Sequence, residues 1–504
     1  MESFTRTARI DDIPSNEVFS WHITEGAFER LNPPWQQFTV IERKGSIQSN
    51  GIVKIKINAG PFHMKWLVKH SDYIEGKQFR DTQIEGLFSS WTHDHLFKPF
   101  GSSSCLLEDH VEYSLLGGPL GSIFASSLVN KKLNQMFDYR HRLTREDLRA
   151  HAAVNKIRGS NKPMTIAITG SSGFIGSSLI PFLTTGGHRV IRLVRRLPTP
   201  SHDDQSNLKS VKSIQWNTSS SSSAYTDLSS VYNNYSIDAV VNLAGENIFG
   251  RWTKEKKKRI FDSRVNTTKA LCKTLSLLDK RPKVLVSASA TGYYGDRGDE
   301  VLAEDSPAAA TSSSSTYSSA SSATTSSSPI DFLSDVCRNW EESTQIAKDA
   351  GIRVVNIRIG TVMSSSGGIL AKILPPFKMG LGGRIGNGNQ YMSWIALDDL
   401  LEIVLHAIAN KSITGPINAV APNPITNTDF TGILGKVLSR SIIFHIPKFI
   451  INAVLGEELA NAAVLSSTRV VPAHLLKIGY QFRFPYLELA LRHTLGKSIS
   501  KIYR

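Results

Sequence analysis

Several short runs near the start of the chain alternate apolar and polar positions with the period of two that a half-buried β-strand shows. The run IVKIKI at residues 52–57 is the clearest example. Predicted strands, separated by turn residues, cover residues 38–43, 51–57, 64–71, 79–85, 91–97 and 105–115. Apolar residues then recur at helical spacing over residues 119–140. The simplest packing is an antiparallel sheet that grips one long helix and leaves an apolar cavity between them.

The pattern changes to β-α-β near residue 164. A short apolar strand at residues 165–169 leads into a glycine-rich loop, a helix ending at a Gly-Gly pair, and a second strand at residues 190–194. Later apolar runs rich in β-branched residues lie at residues 239–243, 284–288 and 353–359 and alternate with helical stretches. This order predicts an α/β fold with a doubly wound parallel sheet of the Rossmann type.

These patterns divide the chain into parts. In order, they are an α+β domain (residues 1–150), a polar linker (151–163), the Rossmann domain (164–421) and a small mixed C-terminal domain (422–504). Two serine-rich segments, residues 218–223 and 308–328, carry too little apolar surface to offset the entropy of ordering, so we expect both to be disordered.

Length, charge and cysteine content narrow the class of protein. A chain of 504 residues is too long for one hydrophobic core. The net charge of +15 is spread along the whole chain, which argues against nucleic-acid binding and suits a polyanionic small molecule. Three widely separated cysteines predict no disulfide framework and a reducing, soluble compartment such as the cytoplasm. No apolar run reaches the roughly 18 residues of a membrane span.

The loop GSSGFIG after the first parallel strand carries the strongest chemical signal. Gly170 allows the tight turn, Gly173 lets the backbone approach a pyrophosphate, and Gly176 lets helix and strand pack closely. Free N–H groups at the helix N-terminus then face the negative charge, so the sequence predicts a dinucleotide cofactor. The other loop residues predicted to contact it are Ser172, Phe174 and Ile175.

Two arginines, Arg195 and Arg196, follow the second parallel strand. A site selective for NAD usually has an acidic residue here, which bonds the ribose 2′-hydroxyl. The nearest acids, Asp203 and Asp204, lie too far along the chain. Since guanidinium groups donate well to a phosphate, the predicted cofactor is NADP.

Seven motifs occur in the order typical of one protein family. They are ITGSSGFIG (168–176), VNLAGENI (241–248), DSRVNTT (262–268), SASATGYYG (287–295), FLSDVCRNWE (332–341), RIGTV (358–362) and LGGRIGNGNQYMSWIALDDL (381–400). Through them the chain resembles the extended short-chain dehydrogenases/reductases, and more narrowly their atypical epimerase family 39U, which has a C-terminal domain of unknown function. The first domain resembles the helix-grip (START/polyketide-cyclase-like) fold through FERL (28–31), PPW (33–35) and MFDYRHR (136–142).

The resemblance implies roles for residues around the cofactor. Leu243, Ala244 and Gly245 match the segment that closes the fourth strand and lines the adenosine side. Arg264 and Asn266 match helix positions that support the cofactor and the central sheet.

The resemblance also implies an active site, with one departure. Val362 matches a position near the nicotinamide, and Ser289 matches the active-site hydroxyl, with Ser287 as the nearby alternative. The superfamily moves a proton through Tyr and Lys, spaced YxxxK, on the helix after the fifth strand, but DFLSDVCRNWEE contains neither. Tyr293 or Tyr294 is a substitute phenol, and Tyr293 is the predicted one.

Two further positions are predicted to be structural. His93 and His95 lie on one face of a strand, but two imidazoles without a third ligand do not make a metal site, so none is predicted. Asp398 is expected to be the N-cap of a helix.

Three functions fit these observations. The first is an NADP-dependent oxidoreductase or epimerase that acts on a small substrate, and the missing YxxxK pair leaves its activity open. The second is a non-catalytic NADPH sensor, for example in cell division, whose first domain binds an apolar ligand. The third is a two-domain enzyme whose first domain delivers an apolar substrate to the nicotinamide.

Overall fold

The structure, a computed structural model, describes residues 1–36, 38–59, 62–115, 118–197, 209–216, 235–309 and 329–499. Residues 218–223 and 310–328, from the two segments predicted to be disordered, lie outside the described residues. Two sheets of seven strands each dominate the described chain. One belongs to the N-terminal unit and the other to the predicted Rossmann domain.

The first sheet is antiparallel, with the strand order β1-β7-β6-β5-β4-β3-β2. Its strands are β1 Glu2–Ile10, β2 Phe38–Lys44, β3 Ile52–Ala59, β4 Phe62–Ile74, β5 Gln78–Glu85, β6 Ser90–Phe100 and β7 Ser104–Ser114. Two short helices join β1 to β2, and one long helix follows β7: α1 Ser15–Ile23, α2 Ala27–Arg30 and α3 Gly118–Arg158. All six predicted strands are present, and β1 is an additional edge strand beside β7.

Helix α3 is longer than predicted, because it continues through most of the segment expected to be a linker. Ala150 and Val154 are buried in the core beneath the second sheet. His151 stacks on Phe182, with ring centroids 4.8 Å apart. The prediction of a linker over residues 151–163 is therefore wrong as far as residue 158, because one face of this polar stretch is buried.

The second sheet is parallel, with the strand order β10-β9-β8-β11-β12-β14-β19. Its strands are β8 Thr165–Thr169, β9 Arg189–Val194, β10 Val211–Gln215, β11 Ala239–Asn242, β12 Val284–Ala290, β14 Arg353–Ile359 and β19 Gly415–Ala419. The helices that flank it are α4 Phe174–Thr185, α5 Lys254–Phe261, α6 Thr267–Ser276, α7 Pro329–Glu342, α8 Gln345–Asp349 and α10 Leu397–Ala409. Buried aliphatic residues cover both faces of the sheet, which confirms the predicted doubly wound fold.

A smaller subdomain covers one end of the parallel sheet. Its helices are α9 Gly368–Lys378, α11 Asn427–Leu438, α12 Lys448–Leu455, α13 Glu457–Ala460, α14 Ala473–Lys477 and α15 Leu487–Thr494. Short paired strands complete the fold: β13 Val301–Leu302, β15 Thr361–Met363, β16 Gly383–Ile385, β17 Tyr391–Met392, β18 Trp394–Ala396, β20 Ile425–Thr426, β21 Phe444–Ile446 and β22 Arg469–Val470. One core contains both Trp394 and Leu434, so the predicted boundary between residues 421 and 422 cuts through a packed unit.

A buried ion network joins the N-terminal unit to the rest of the chain. Arg30 of α2 donates through Nε to Asp147 of α3 (2.6 Å) and through Nη2 to Asp398 of α10 (2.6 Å). Arg483 donates to Asp147 (2.8 Å), and His493 lies 2.8 Å from Asp398. Asp398 is the second residue of α10 and binds this network, so the prediction that it caps the helix is wrong.

The three cysteines, Cys105, Cys272 and Cys337, are buried and none forms a disulfide. Burial raises the pKa of the Cys337 thiol to about 12. Among the described residues, no helix combines the length and apolar character needed to cross a membrane.

Candidate functional site

The glycine loop lies where the strand order reverses, because the chain leaves β8 toward β9 and later returns to its other side as β11. Gly170 follows β8 with a φ of 66°, and a Cβ there would lie 2.5 Å from the Leu243 carbonyl oxygen. A Cβ on Gly176 would lie 2.3 Å from the Gly170 carbonyl oxygen. The glycines therefore fold the loop tightly against β11, at the point where open α/β sheets bind ligands.

The tip of this loop, Ser172 and Gly173, is exposed at the N-terminus of α4. Gly173 is the N-cap of α4, and no side chain caps the helix. Backbone N–H groups at such a terminus are available to an anion. The Phe174 ring packs against Gly367 and lines the same cavity as Ser172, and Ile175 packs against the core beneath the parallel sheet, called the main core below.

The second strand of this domain, β9, and the two residues after it contain four arginines. Arg195 and Arg196 are exposed at its carboxyl end. Arg192 is buried within β9, and its Nε donates to the Ser171 hydroxyl (3.4 Å). This bond ties β9 to the glycine loop. Arg192 was not among the predicted site residues, although an arginine inside the apolar run VIRLV is a visible signal.

Leu243, Ala244 and Gly245 follow β11 at the same edge of the sheet. Leu243 packs on the main core, whereas Gly245 is exposed. Arg264 lies against this segment, since a Cβ on Gly245 would be 3.2 Å from the Arg264 Cζ. The same Cζ lies 5.2 Å from the centroid of the Trp340 ring, and burial lowers the pKa of Arg264. A partly buried guanidinium at this position is suited to an anionic ligand.

The side chain that hydrogen-bonds to the parallel sheet from this helical segment is that of Thr268 and not that of Asn266. Asn266 is exposed, and its amide donates to Asp262 (2.8 Å). The buried Asn242 amide donates to Thr268 Oγ1 (2.8 Å) and to Ser287 Oγ (3.1 Å). Ser287 is thus held inside the sheet, which removes it as an alternative active-site hydroxyl.

A buried trio of polar side chains forms at the end of β12. Ser289 Oγ donates to Glu341 Oε1 (2.7 Å), and Arg358 donates to both oxygens of Glu341 (2.8 and 2.9 Å). Ser289 and Arg358 are cross-strand neighbours on β12 and β14, and Glu341 is contributed by α7. Burial alone would lower the pKa of Arg358, but the hydrogen bonds and charge of Glu341 more than offset it, so Arg358 stays charged.

The two tyrosines after β12 occupy different environments. Tyr294 is fully buried, accepts from Arg358 Nη1 (2.8 Å) and donates to Asn418 Oδ1 (2.7 Å). Burial raises the pKa of Tyr294 to about 12, although Arg358 opposes this shift. Tyr293 is partly exposed, and the Arg358 Cζ lies 3.5 Å from the centroid of its ring. Tyr293 is therefore the more accessible of the two phenols.

Glu341 and Arg358 were not among the site residues predicted from the sequence. Both lie inside quoted motifs, but their pairing depends on α7 packing over β12 and β14. Val362 lies on β15, partly buried against the main core. Helix α7 contains neither Tyr nor Lys, and Glu341 supplies a charged group there instead.

The fold and the loop define a dinucleotide-binding Rossmann protein of the short-chain dehydrogenase/reductase type. Residues 166–328 match the model of the NAD dependent epimerase/dehydratase family, and residues 446–494 match a domain of unknown function, DUF1731. An epimerase family protein of Mycobacterium leprae is 34% identical over 345 residues, which cover 68% of this chain and 96% of that protein. Human epimerase family protein SDR39U1 is 32% identical over 336 residues, which cover 66% of this chain and 100% of that protein.

Solved structures agree with these matches. A nucleoside-diphosphate sugar epimerase from Corynebacterium glutamicum superposes with a TM-score of 0.75 at 31% identity, covering 99% of this chain and 92% of that one. Human SDR39U1 with NADPH superposes with a TM-score of 0.54 at 30% identity, covering 66% and 99%. The chain belongs to the NAD dependent epimerase/dehydratase family, as an SDR39U1-like, atypical short-chain dehydrogenase/reductase.

Proposed function

We propose that the chain is an NADP-dependent oxidoreductase or epimerase whose substrate binds at the carboxyl edge of the parallel sheet. The observation that carries this proposal is the position of Tyr293 directly after β12, beside the buried Arg358–Glu341 pair. The glycine loop lies two strands away at the same edge. Substrate carbon and cofactor can therefore meet between them, as ligands do in open α/β sheets.

The cofactor, when bound, supplies or accepts the hydride at the substrate carbon. Tyr293 gives a proton to the carbonyl oxygen during reduction and takes it back during oxidation. Arg358 holds the Tyr293 ring by stacking, and Glu341 holds Arg358. Ser289 is 2% exposed and donates to Glu341, so it positions this pair and acts on substrate only if that bond opens.

Replacing Tyr293 with phenylalanine is expected to lower kcat by about 10²–10⁴-fold, because the proton donor is lost. The affinity for NADPH should not change. The assays are NADPH oxidation by the full chain with aldehydes and ketones, and product analysis for epimerisation of nucleotide sugars. The last class is included because the Corynebacterium neighbour is a nucleoside-diphosphate sugar epimerase.

A matched control is Tyr235→Phe. Tyr235 also has a cation over its ring, with Lys212 Nζ 4.6 Å from the centroid, but it precedes β11 at the opposite edge of the sheet. Its variant should keep full activity. Equal rates for Tyr293→Phe and Tyr235→Phe would remove Tyr293 from the mechanism.

We also propose that Arg195 and Arg196 bind the 2′-phosphate of the cofactor. The double substitution Arg195→Ser/Arg196→Ser is expected to weaken NADPH binding by about 10–100-fold, since a hydrogen bond to a charged group contributes about 1.5–3 kcal/mol. NADH binding should change little. Arg189→Ser, at the exposed start of the same strand, is the control. An equal loss for NADPH and NADH would contradict the assignment.

A large cavity in the N-terminal unit favours a second role. It encloses about 1130 Å³, and its walls include Ile55, Ile57, Trp66 and Met136. This composition suits an apolar ligand, held in a domain of the helix-grip type. The three free cysteines suit a reducing compartment. If no substrate class oxidises NADPH and no nucleotide sugar is epimerised, while NADPH binds tightly, the sensor function replaces the enzymatic one.

A further inference from the structure

A buried cluster of imidazoles and carboxylates lies at one end of the cavity in the N-terminal unit. Buried and partly buried positions alternate along β6, so His93 and His95 point to the inner face of the sheet. Asp81 is the cross-strand neighbour of His93 on β5. All three side chains line the cavity. One donor atom from each lies within 4.8 Å of the others.

We propose that Asp81, His93 and His95 bind one divalent transition-metal ion. No metal was predicted here from the sequence, because the two imidazoles lacked a third ligand. The third ligand comes from the neighbouring strand, which only the sheet register brings beside them. Strands hold all three donors rigidly, as a preformed metal site requires.

Hydrogen bonds occupy one ring nitrogen of each histidine and leave the other available to an ion. His93 Nε2 lies 2.7 Å from Asp109 Oδ1, and His95 Nδ1 lies 3.0 Å from the same oxygen. Because a carboxylate only accepts, these two ring nitrogens carry hydrogens. His93 Nδ1 and His95 Nε2 are left as the atoms that can bind a metal. Metal-ligating histidines commonly donate their other ring N–H to a carboxylate in this way, which fixes the tautomer.

A hydrogen bond also occupies one of the two oxygens of Asp81, the third ligand. His70 Nδ1 lies 2.6 Å from Asp81 Oδ1, which leaves Asp81 Oδ2 toward the site. That oxygen lies 3.3 Å from His95 Nε2, a longer separation than His70 and His93 have from their carboxylates. A cation between these two atoms would bind both of them.

The donor set indicates the class of metal. Two imidazoles and one carboxylate suit Fe²⁺, Zn²⁺ or Co²⁺ and leave coordination positions open. Here the open positions face a cavity with apolar walls. The site could therefore present a water molecule or the polar group of an otherwise apolar ligand to the metal.

The test is titration of the full, untagged chain with Co²⁺ after chelator treatment, followed by visible absorption and calorimetry. One Co²⁺ per chain is expected, displaced by Zn²⁺. His93→Gln and Asp81→Asn should each weaken binding by at least about 100-fold, since changing even a residue that only supports a ligand costs about 10–100-fold. His110→Gln is the matched control, because His110 lies on β7 and bonds to Thr5 on the exposed side of the same sheet.

Wild-type protein that binds no Co²⁺ at stoichiometric concentration overturns the proposal, and this result does not depend on any variant folding. Binding that persists undiminished in both ligand variants also overturns it. NADPH affinity and circular dichroism, unchanged in the variants, show that a lost metal is not the result of an unfolded chain.

Discussion

Gly176→Ala is expected to destabilise the chain by about 1–3 kcal/mol and to weaken NADPH binding by roughly 100-fold. The new methyl group would lie 2.3 Å from the Gly170 carbonyl oxygen and 2.8 Å from the Ser171 Cα. Both atoms belong to the backbone of the loop, so no flexible side chain can move aside. Either α4 separates from β8 or the loop shifts, and both displace the N–H groups that face the pyrophosphate. Urea unfolding and calorimetric titration with NADPH measure the two effects.

Alanine substitutions at two other glycines distinguish an effect on packing from an effect on cofactor binding. A Cβ on Gly432, within α11, would meet nothing within 4 Å, so Gly432→Ala should stabilise the chain slightly, by up to about 1 kcal/mol. A Cβ on Gly173 would meet one backbone oxygen at 3.2 Å, so Gly173→Ala should change stability little and still weaken NADPH binding. If Gly176→Ala matched the wild type in both measurements, the loop would not be a close-packed cradle.

Arg30→Met is expected to cost about 3–5 kcal/mol of unfolding free energy, because it leaves buried carboxylates without their main cation. The Arg30 and Asp147 side chains are 6% and 0% exposed, so water cannot replace the lost bonds. Burial alone would raise the pKa of Asp398, but Arg30 and His493 more than offset it and hold it below the usual value. Its contribution to stability is therefore present above the ordinary aspartate pKa and is lost as the pH falls below it.

The control for this variant is Arg6→Met. Arg6 pairs with Asp138, but both side chains are about two-fifths exposed, at 41% and 38%. An exposed pair contributes about 0–1 kcal/mol. Urea unfolding of both variants at neutral pH, repeated at acid pH, gives the comparison. Equal losses for Arg30→Met and Arg6→Met would show that the buried network does not join the two units.

Much of the fold could be predicted from the local pattern of apolar and polar residues. Period-two runs predicted six of the seven strands of the N-terminal sheet, because each strand has one face on the core and one outside. The glycine loop could also be predicted from the sequence. The spacing of its glycines reflects a tight turn and a close helix–strand contact, and both involve residues that are near one another in the chain. The helix predicted over residues 119–140 was shorter than α3, although Leu143, Ala150 and Val154 are buried at helical spacing. Charged residues between them suggested a linker.

Contacts between distant parts of the chain could not be predicted. Glu341 and Arg358 pair only because α7 packs over two adjacent strands. Asp81 joins His93 only through the register of β5 and β6. Aspartate is a common N-cap residue, yet Asp398 accepts a hydrogen bond from an arginine 368 positions away along the chain. In each case the partner is fixed by tertiary packing, which no local periodicity records.

Calorimetric titration of the unmodified full chain with NADPH, and then with NADH, tests the central claim most directly. We predict one NADPH site per chain, with NADPH bound at least about tenfold more tightly than NADH, a difference of about 1.4 kcal/mol. No heat with NADPH, or tighter binding of NADH, would contradict the account.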